Sequence, residues 1–426
     1  MLQAAQGMLG LVALPMLAWA MSENRHALWT TATWRIVLGG LAAQFVMAGA
    51  LLALPQARVL FDAVGAGVQG LQEATQAGMR FVFGFLAGGP APYAETSPGN
   101  AFILAFRALP LILLMSVLSR VLYHWGVLQV VVRGLSAVLK GVLGISGPLG
   151  IAAAAKVFLG MIEAPLLIRP YLIKLGRGEL FALMSVGMAT VAGTVFALYA
   201  AILEPVIPGA AGHVLTASLM NVPAALMLAR LVVPDGFAAP GAPVAALDAS
   251  YRSTSTMEAI AQGTADGLKL LAYVVAMLVV MVALVALVNN ILGAVASTFG
   301  HELTIQRLLG VIAAPLAFLI GVPWSEAGTA GALLGLKVVL NELLAYLELI
   351  KLPAAALSDK SRIIMTYALC GFGNLGSLGI LVGGLSAMVP ERRTEIADLG
   401  LRSMLVGVMA TLLTGAVVGI VLGLRT

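Results

Sequence analysis

The chain has 426 residues, 61% hydrophobic and 10% charged, with 24 basic and 19 acidic side chains for a formal net charge of +5. A soluble domain carries charge on about a quarter of its residues, so an ordinary soluble fold is excluded, and an all-α polytopic membrane protein is expected because helices satisfy their own backbone polar groups in lipid. The basic residues stand singly between apolar runs, as a positive-inside topology produces, and argue for no nucleic-acid partner; Cys370 alone and the scattered His26, His124, His213 and His301 exclude a disulfide framework and offer no metal-ligand spacing.

The first apolar run, 1–22, lacks a basic leader and is followed by further spans, so it reads as a retained first helix. A second span covers 36–57. Residues 58–80 mix charges with spaced apolar positions, the pattern of an amphipathic helix lying along the membrane surface. The next span, 101–132, contains Arg107 and Arg120, which must face protein, a polar cavity or the interface. Residues 141–175 are too broken for one straight helix, holding Gly147, Pro148, Gly160, Pro165 and Pro170 together with Lys156, Glu163, Arg169 and Lys174. Uncharged spans follow at 180–203 and 205–229, the first with Gly187 and Gly193. A stretch rich in Ala, Gly, Pro, Ser and Thr, 234–257, reads as a linker between halves. After a span at 270–301, residues 321–353 repeat the broken pattern with Pro323, Gly328, Gly331, Gly335, Lys337, Glu342 and Glu348. The last spans are 363–390, with Gly371, Gly373, Gly376 and Gly379, and 403–424.

Paired interrupted segments in corresponding halves point to a transporter built from two repeats, with its site where broken helices meet near the midplane. Exposed helix ends there supply unpaired backbone N–H and C=O groups, which can hold polar solutes and ions. An enzyme would need a nucleophile with its base, or a metal set. Neither is visible, and no Gly-x-x-x-x-Gly-Lys-Ser/Thr loop suggests an ATP-driven pump.

The segments GISGPLGIAAAAKVFLGMIEAPLLIRPYL (144–172) and GELFALMSVGMATVAGTVFALYA (178–200) resemble the first hairpin and following helix of the concentrative nucleoside transporter family. LTASLMNVPAALMLARLVVP (215–234), GVPWSEAGTAGALLGLKVVLNELLAYLEL (321–349) and TYALCGFGNLGSLGILVGGL (366–385) are similar to its later signatures, in the same order, and LPLILLMSVLSRVLYHWGVLQ (109–129) less specifically to its N-terminal third. The resemblance implies about eight transmembrane helices plus two re-entrant hairpins in inverted repeats. It also implies a homotrimer working as an elevator in a bacterial inner membrane, with no cofactor and a nucleoside-like solute as partner. On this reading 1–135 is an N-terminal scaffold with the amphipathic helix, 136–233 the first hairpin and transport repeat, and 234–258 a linker. Residues 259–320 are then a second amphipathic and scaffold segment, and 321–426 the second transport repeat. By the same resemblance Gly160, Met161, Ile162, Glu163 and Val195 face the nucleobase, while Glu342, Phe372, Asn374 and Ser377 serve the ribose hydroxyls.

The chain departs from the family pattern Asn-x-Phe-x-Gly-Gln-Thr/Ser-Glu, reading Lys156-Val157-Phe158-Leu159-Gly160-Met161-Ile162-Glu163. The asparagine of sodium-dependent members coordinates the ion with backbone carbonyls, here those of Leu159 and Val191, and a hydroxyl, here Thr190. A protonated lysine has no lone pair for a cation, but its ammonium can take the cation's place among those oxygens. Transport independent of sodium is therefore expected, with Lys156 as a built-in cation or as a proton carrier. Met161 and Ile162 remove an amide and a hydroxyl from the base edge, and a buried unpaired polar group costs about 1–3 kcal/mol. A polarisable thioether packs well on a larger ring, so purine nucleosides are expected over pyrimidines. The family's other hairpin glutamate is replaced by Leu149. The alternatives are a transporter of another solute on the same fold, and a relative that binds ligand without moving it.

Overall fold

The computed structural model describes residues 2–53, 56–94, 102–237, 253–297 and 304–424, and among these the chain is helical with no strand. Helices α1 (Leu2–Ala20) and α2 (Thr31–Ala48) precede α3 (Gln56–Phe83), whose charged and apolar faces suit the surface position expected for 58–80. Then come α4 (Leu104–Arg107), α5 (Leu111–His124) and α6 (Val127–Leu143). The first hairpin consists of α7 (Gly147–Ala155), α8 (Glu163–Leu166) and α9 (Arg169–Leu172). Its return arm is short-jointed because Pro165 and Pro170 each remove a backbone donor. Ser146 caps α7 by accepting the Leu149 N–H, with Pro148 in the first turn.

Helices α10 (Arg177–Ala189) and α11 (Gly193–Leu203) are halves of one crossing parted by extended backbone at Thr190 and Ala192. After α12 (Ala210–Val232) comes α13 (Thr256–Ser297), 42 residues and so about 60 Å long. Helix α14 (Ile305–Leu319) bends through 116° into α15 (Trp324–Val339), and α15 pairs with α16 (Glu342–Lys351) as the second hairpin. Helices α17 (Asp359–Leu369) and α18 (Leu375–Met388) form a second broken crossing, and α19 (Arg393–Gly423) completes the chain. Among the described residues six helices are long and apolar enough to cross a membrane, the bent α14–α15 pair makes a seventh if counted as one span, and α1 and α18 are shorter apolar helices.

Three boundaries differ from expectation. The span at 101–132 is split, because Gly126 at φ +81° takes the left-handed turn that separates α5 from α6. The run at 363–390 is two helices rather than one, with Asn374 capping the second. In 259–320 there is no separate amphipathic helix before the span: α13 begins at Thr256 and continues unbroken. Gly263 and Gly267 do not break it. They let its backbone press on α5, at Val117 and Leu113. Arg120 of α5 then meets Asp266 of α13 through two nitrogens, at 2.7 and 3.1 Å, which answers the question of what that membrane arginine faces. Arg107 lies over the turn at Gly88 that follows α3. Most of the expected linker, 238–252, lies outside the described residues.

Helices α1 and α2 pack on α19 and α12, so they belong to the same packed body as the hairpins and broken helices, although the sequence suggested one N-terminal scaffold for 1–135. Apolar sequence shows that a helix is embedded but not which neighbour it packs against. The core of this body is continuous through α10, α12, α17 and α19, whereas none of the most apolar stretch of α13 is buried within the protomer.

Candidate functional site

Both hairpin tips and both helix breaks converge on one cavity of about 220 Å3, also lined by Leu270, Tyr273, Val274 and Met277 of α13. Gly160, Met161, Ile162 and Glu163 from the first hairpin, Val195 from α11, Glu342 from the second hairpin, and Phe372, Asn374 and Ser377 from the second break all line it. The motif residues thus meet in space across 217 positions of sequence, from 160 to 377.

The polar wall is built from helix starts. Asn341 caps α16, its Oδ1 accepting the Leu344 N–H at 2.9 Å, and this presents Glu342 at the first helical position. Asn374 caps α18 in the same manner, accepting the Ser377 N–H at 2.7 Å, so its amide nitrogen is turned the other way and donates to Glu342 Oε2 at 3.0 Å. Tyr199 donates its hydroxyl to Glu342 Oε1 at 2.5 Å. Both oxygens of the buried carboxylate are therefore held, yet a carboxylate has about four lone-pair directions and can still accept hydroxyls from the cavity.

Much of the remaining lining is apolar, with Glu163, Thr194 and Tyr273 among its polar members. Met161 is buried and Ile162 packs its branched side chain on Gly384 of α18. The Glu163 carboxylate lies directly over Gly160 and would have to swing aside for a Cβ there. Gly193 is needed at the first break, where a Cβ would run into the Phe158 backbone carbonyl.

Behind the cavity, the side chain of Lys156 reaches Thr190, one of the residues expected around a cation. Its Nζ donates to the Thr190 carbonyl at 3.4 Å and lies 4.9 Å from the ring centroid of Phe372, a cation–π contact across the cavity wall. Phe372 therefore touches both the cavity and the ammonium. Leu159 and Val191 are buried alongside. The oxygen set differs from expectation at Thr190, whose hydroxyl donates to Val186 O at 2.9 Å. A threonine at the end of a helix bonds back to the preceding turn, and this leaves its carbonyl for the lysine.

Tyr199 was not singled out from sequence. The signal available was its spacing, four residues after Val195 and hence on the same face of α11. Tyr273 and its neighbours on α13 gave none, since they come from a distant apolar run. Asn341, a cap rather than a ligand by its bonding, was legible only as part of Asn341-Glu342-Leu343.

The chain matches three family models: one described as Na+ dependent nucleoside transporter C-terminus over residues 213–419, its N-terminal counterpart over 9–86, and one described as nucleoside recognition over 105–206. An uncharacterized transporter of Haemophilus influenzae is 38% identical over 422 residues, covering 98% of this chain and 97% of its own. The nucleoside permease NupC of Helicobacter pylori is 34% identical with the same coverage. A solved structure of CNTnw in an inward-facing substrate-bound state is 37% identical, with a TM-score of 0.89 over 99% of this chain and 98% of that one. The chain belongs to the concentrative nucleoside transporter family, a family of transporters rather than enzymes, and is a multi-pass protein of the plasma membrane.

Proposed function

We propose that the protein is a secondary transporter of nucleosides that favours purines and works without sodium. The observation that carries this reading is the cavity lining, in which Glu342, with Tyr199 and Asn374 holding its oxygens, shares one cavity with the apolar Met161 and Ile162. Glu342, Asn374 and Ser377 would take the ribose hydroxyls, where charge-assisted hydrogen bonds in a dry pocket are strong. Gly160, Met161, Ile162, Glu163 and Val195 would face the base, and Phe372 would form the wall between base and ammonium. Few polar partners line the base side, which suits a broad purine surface better than a hydrogen-bonded pyrimidine edge.

Lys156 stands where a cation would lie, either as a permanent substitute for the ion or as a carrier of protons. The packed body of hairpins, broken helices, α1, α2, α12 and α19 would move against α5 and α13, with α13 also facing sister protomers in a homotrimer. The test is uptake by proteoliposomes containing the purified protein, with labelled adenosine, inosine, uridine and cytidine, in sodium, in choline and across a pH step. Faster uptake of the purines, unchanged in choline, is expected. Glu342→Gln should lower affinity for the preferred nucleoside about 10- to 100-fold, the value of a hydrogen bond to a charged group. Uptake that requires sodium, or uridine and cytidine preferred over adenosine, would overturn the reading. Tight binding without counterflow would instead identify a non-transporting relative, and a non-nucleoside substrate would identify a different solute on this fold.

A further inference from the structure

Helix α6 meets the first arm of the first hairpin at α7, where Gly150 comes so close that a Cβ on it would stand 2.8 Å from Ser136 Oγ. Beside this contact lies a second cavity, of about 510 Å3, which shares no lining residue with the one at the hairpin tips. Arg133, Ser136, Ala137, Lys140 and Gly141 line it from α6, and Ile151 from α7. These α6 positions lie three, four, seven and eight residues from Arg133, a spacing that puts them on one helix face, so both cations border the same space. Arg35 of α2 brings a third positive charge to that end of α6, its Nη2 donating to the Gly141 carbonyl at 2.6 Å.

Residues 96–162 contain no Asp or Glu, and among the described residues none lines this cavity. Among the same residues the side chains of Arg133 and Lys140 have neither a hydrogen-bond nor an ion-pair partner. Other arginines do find carboxylates, Arg120 that of Asp266 and Arg177 those of Glu23 and Asp398. Ser136 is buried at the cavity with its hydroxyl free to donate. At about 3.6 residues per turn, the adjoining face of α6 carries Val127, Val130, Val138 and Val142, all exposed within the protomer. A cationic cavity bordered by an apolar face has the two halves of a phospholipid site. The phosphate accepts paired bonds from a guanidinium and the charge of an ammonium, and the acyl chains need only an apolar surface.

We infer that the groove between α6 and α7 is a binding site for an anionic phospholipid. Arg133, Lys140 and the Ser136 hydroxyl hold the headgroup phosphate, and the acyl chains lie along the valine face. A basic pocket between membrane helices selects anionic headgroups because each Lys or Arg near the surface adds attraction that a zwitterionic lipid does not gain. A free phosphate would use the cations and leave the valines uncovered. The site stands apart from the substrate cavity and does not depend on the transport reading.

The experiment uses the full-length protein in phosphatidylcholine nanodiscs doped with a trace of photoactivatable phosphatidylglycerol or, separately, of the matching phosphatidylcholine probe. Labelled peptides are identified by mass spectrometry. The phosphatidylglycerol probe should label α6 and α7 about 25-fold more than the phosphatidylcholine probe, roughly fivefold for each of Arg133 and Lys140. Arg133→Gln combined with Lys140→Gln should bring that labelling down to the phosphatidylcholine level. Arg80→Gln combined with Lys351→Gln removes the same charge from exposed positions outside the cavity and should leave it unchanged. Equal labelling by the two probes, or an equal loss in both double variants, would overturn the inference and make these cations ordinary interfacial side chains. Displacement of the probe by millimolar inorganic phosphate would overturn it in favour of a free anion. Absence of label from α6, with Ala137→Cys crosslinking to a sister protomer, would overturn it in favour of a second copy on this face. The two probes on the wild-type protein decide the matter even if a variant fails to fold.

Discussion

Tyr199 is the residue whose role is most sharply defined by geometry and least by sequence. Its hydroxyl is the donor on the Glu342 oxygen that Asn374 does not reach. In Tyr199→Phe that oxygen would lose its donor while its carbon surroundings stay the same. The loss of a hydrogen bond to a charged group, about 1.5–3 kcal/mol, predicts 10- to 100-fold weaker binding of a ribonucleoside by calorimetry. Unchanged affinity would reduce Tyr199 to a packing partner of Tyr346, whose ring centroid lies 5.4 Å away. Glu342, Asn374 and Gly160 were legible beforehand through the resemblance of their motifs to the family's signatures. Lys337 and Asn221 were in view as residues, but their partners, Ala368, Thr411, Ala189 and Cys370, are backbone or distant groups that no local pattern announces.

Among elements, the broken helices were legible because glycine and proline interrupt apolar runs, whereas the clamps between elements were not. The clearest clamp centres on Arg177 at the start of α10. It bonds Glu23 after α1 through two nitrogens, at 2.9 and 3.1 Å, and Asp398 of α19 at 2.6 Å. Arg402 of α19 adds a 2.6 Å bond to Glu23, and Arg392 secures the foot of the first hairpin through the Leu172 and Leu175 carbonyls. The hydrogen bond from Arg177, aided by the charges of Arg177 and Arg402 and opposed by partial burial, holds the Glu23 carboxyl below its ordinary value of 4.5. A carboxylate with a depressed folded pKa contributes stability that is complete above the unfolded value and is lost as pH falls through the folded one. Thermal unfolding in detergent should therefore show a Tm set by this clamp at neutral pH and declining below about pH 4.5. Glu23→Gln should lower the neutral Tm and flatten the acid decline. An identical decline in that variant would place the acid sensitivity elsewhere.

For the whole molecule, the question is whether the packed body moves along α13. The most apolar stretch of α13 has no residue buried within the protomer, yet the helix is held firmly to α5 by Gly263, Gly267 and the Arg120–Asp266 pair. Towards the body its side of the cavity is made of large apolar side chains, Met277 among them, whose methyl lies 3.5 Å from where a Cβ on Gly376 would stand. A mostly apolar wall, with the Tyr273 phenol its polar group, against a cavity that carries its own polar groups suits a sliding contact, because little that is polar has to be exchanged at the interface during the movement. The sequence suggested two units but could not show that α1 and α2 belong with the hairpins, since embedding and packing partner are separate properties. Sliding predicts that fixing one point of contact stops transport. Cys370 is the only native cysteine and is fully buried, so introduced pairs can be read against little background. Met277→Cys combined with Gly376→Cys should be bridged by a short bifunctional thiosulfonate, since a cysteine sulfur stops two bonds short of the Met277 methyl that makes the approach; bridging should abolish nucleoside counterflow and reduction should restore it. Full counterflow by the crosslinked protein would mean that α13 and α18 travel together, and the division into a moving body and a fixed α5–α13 pair would fall.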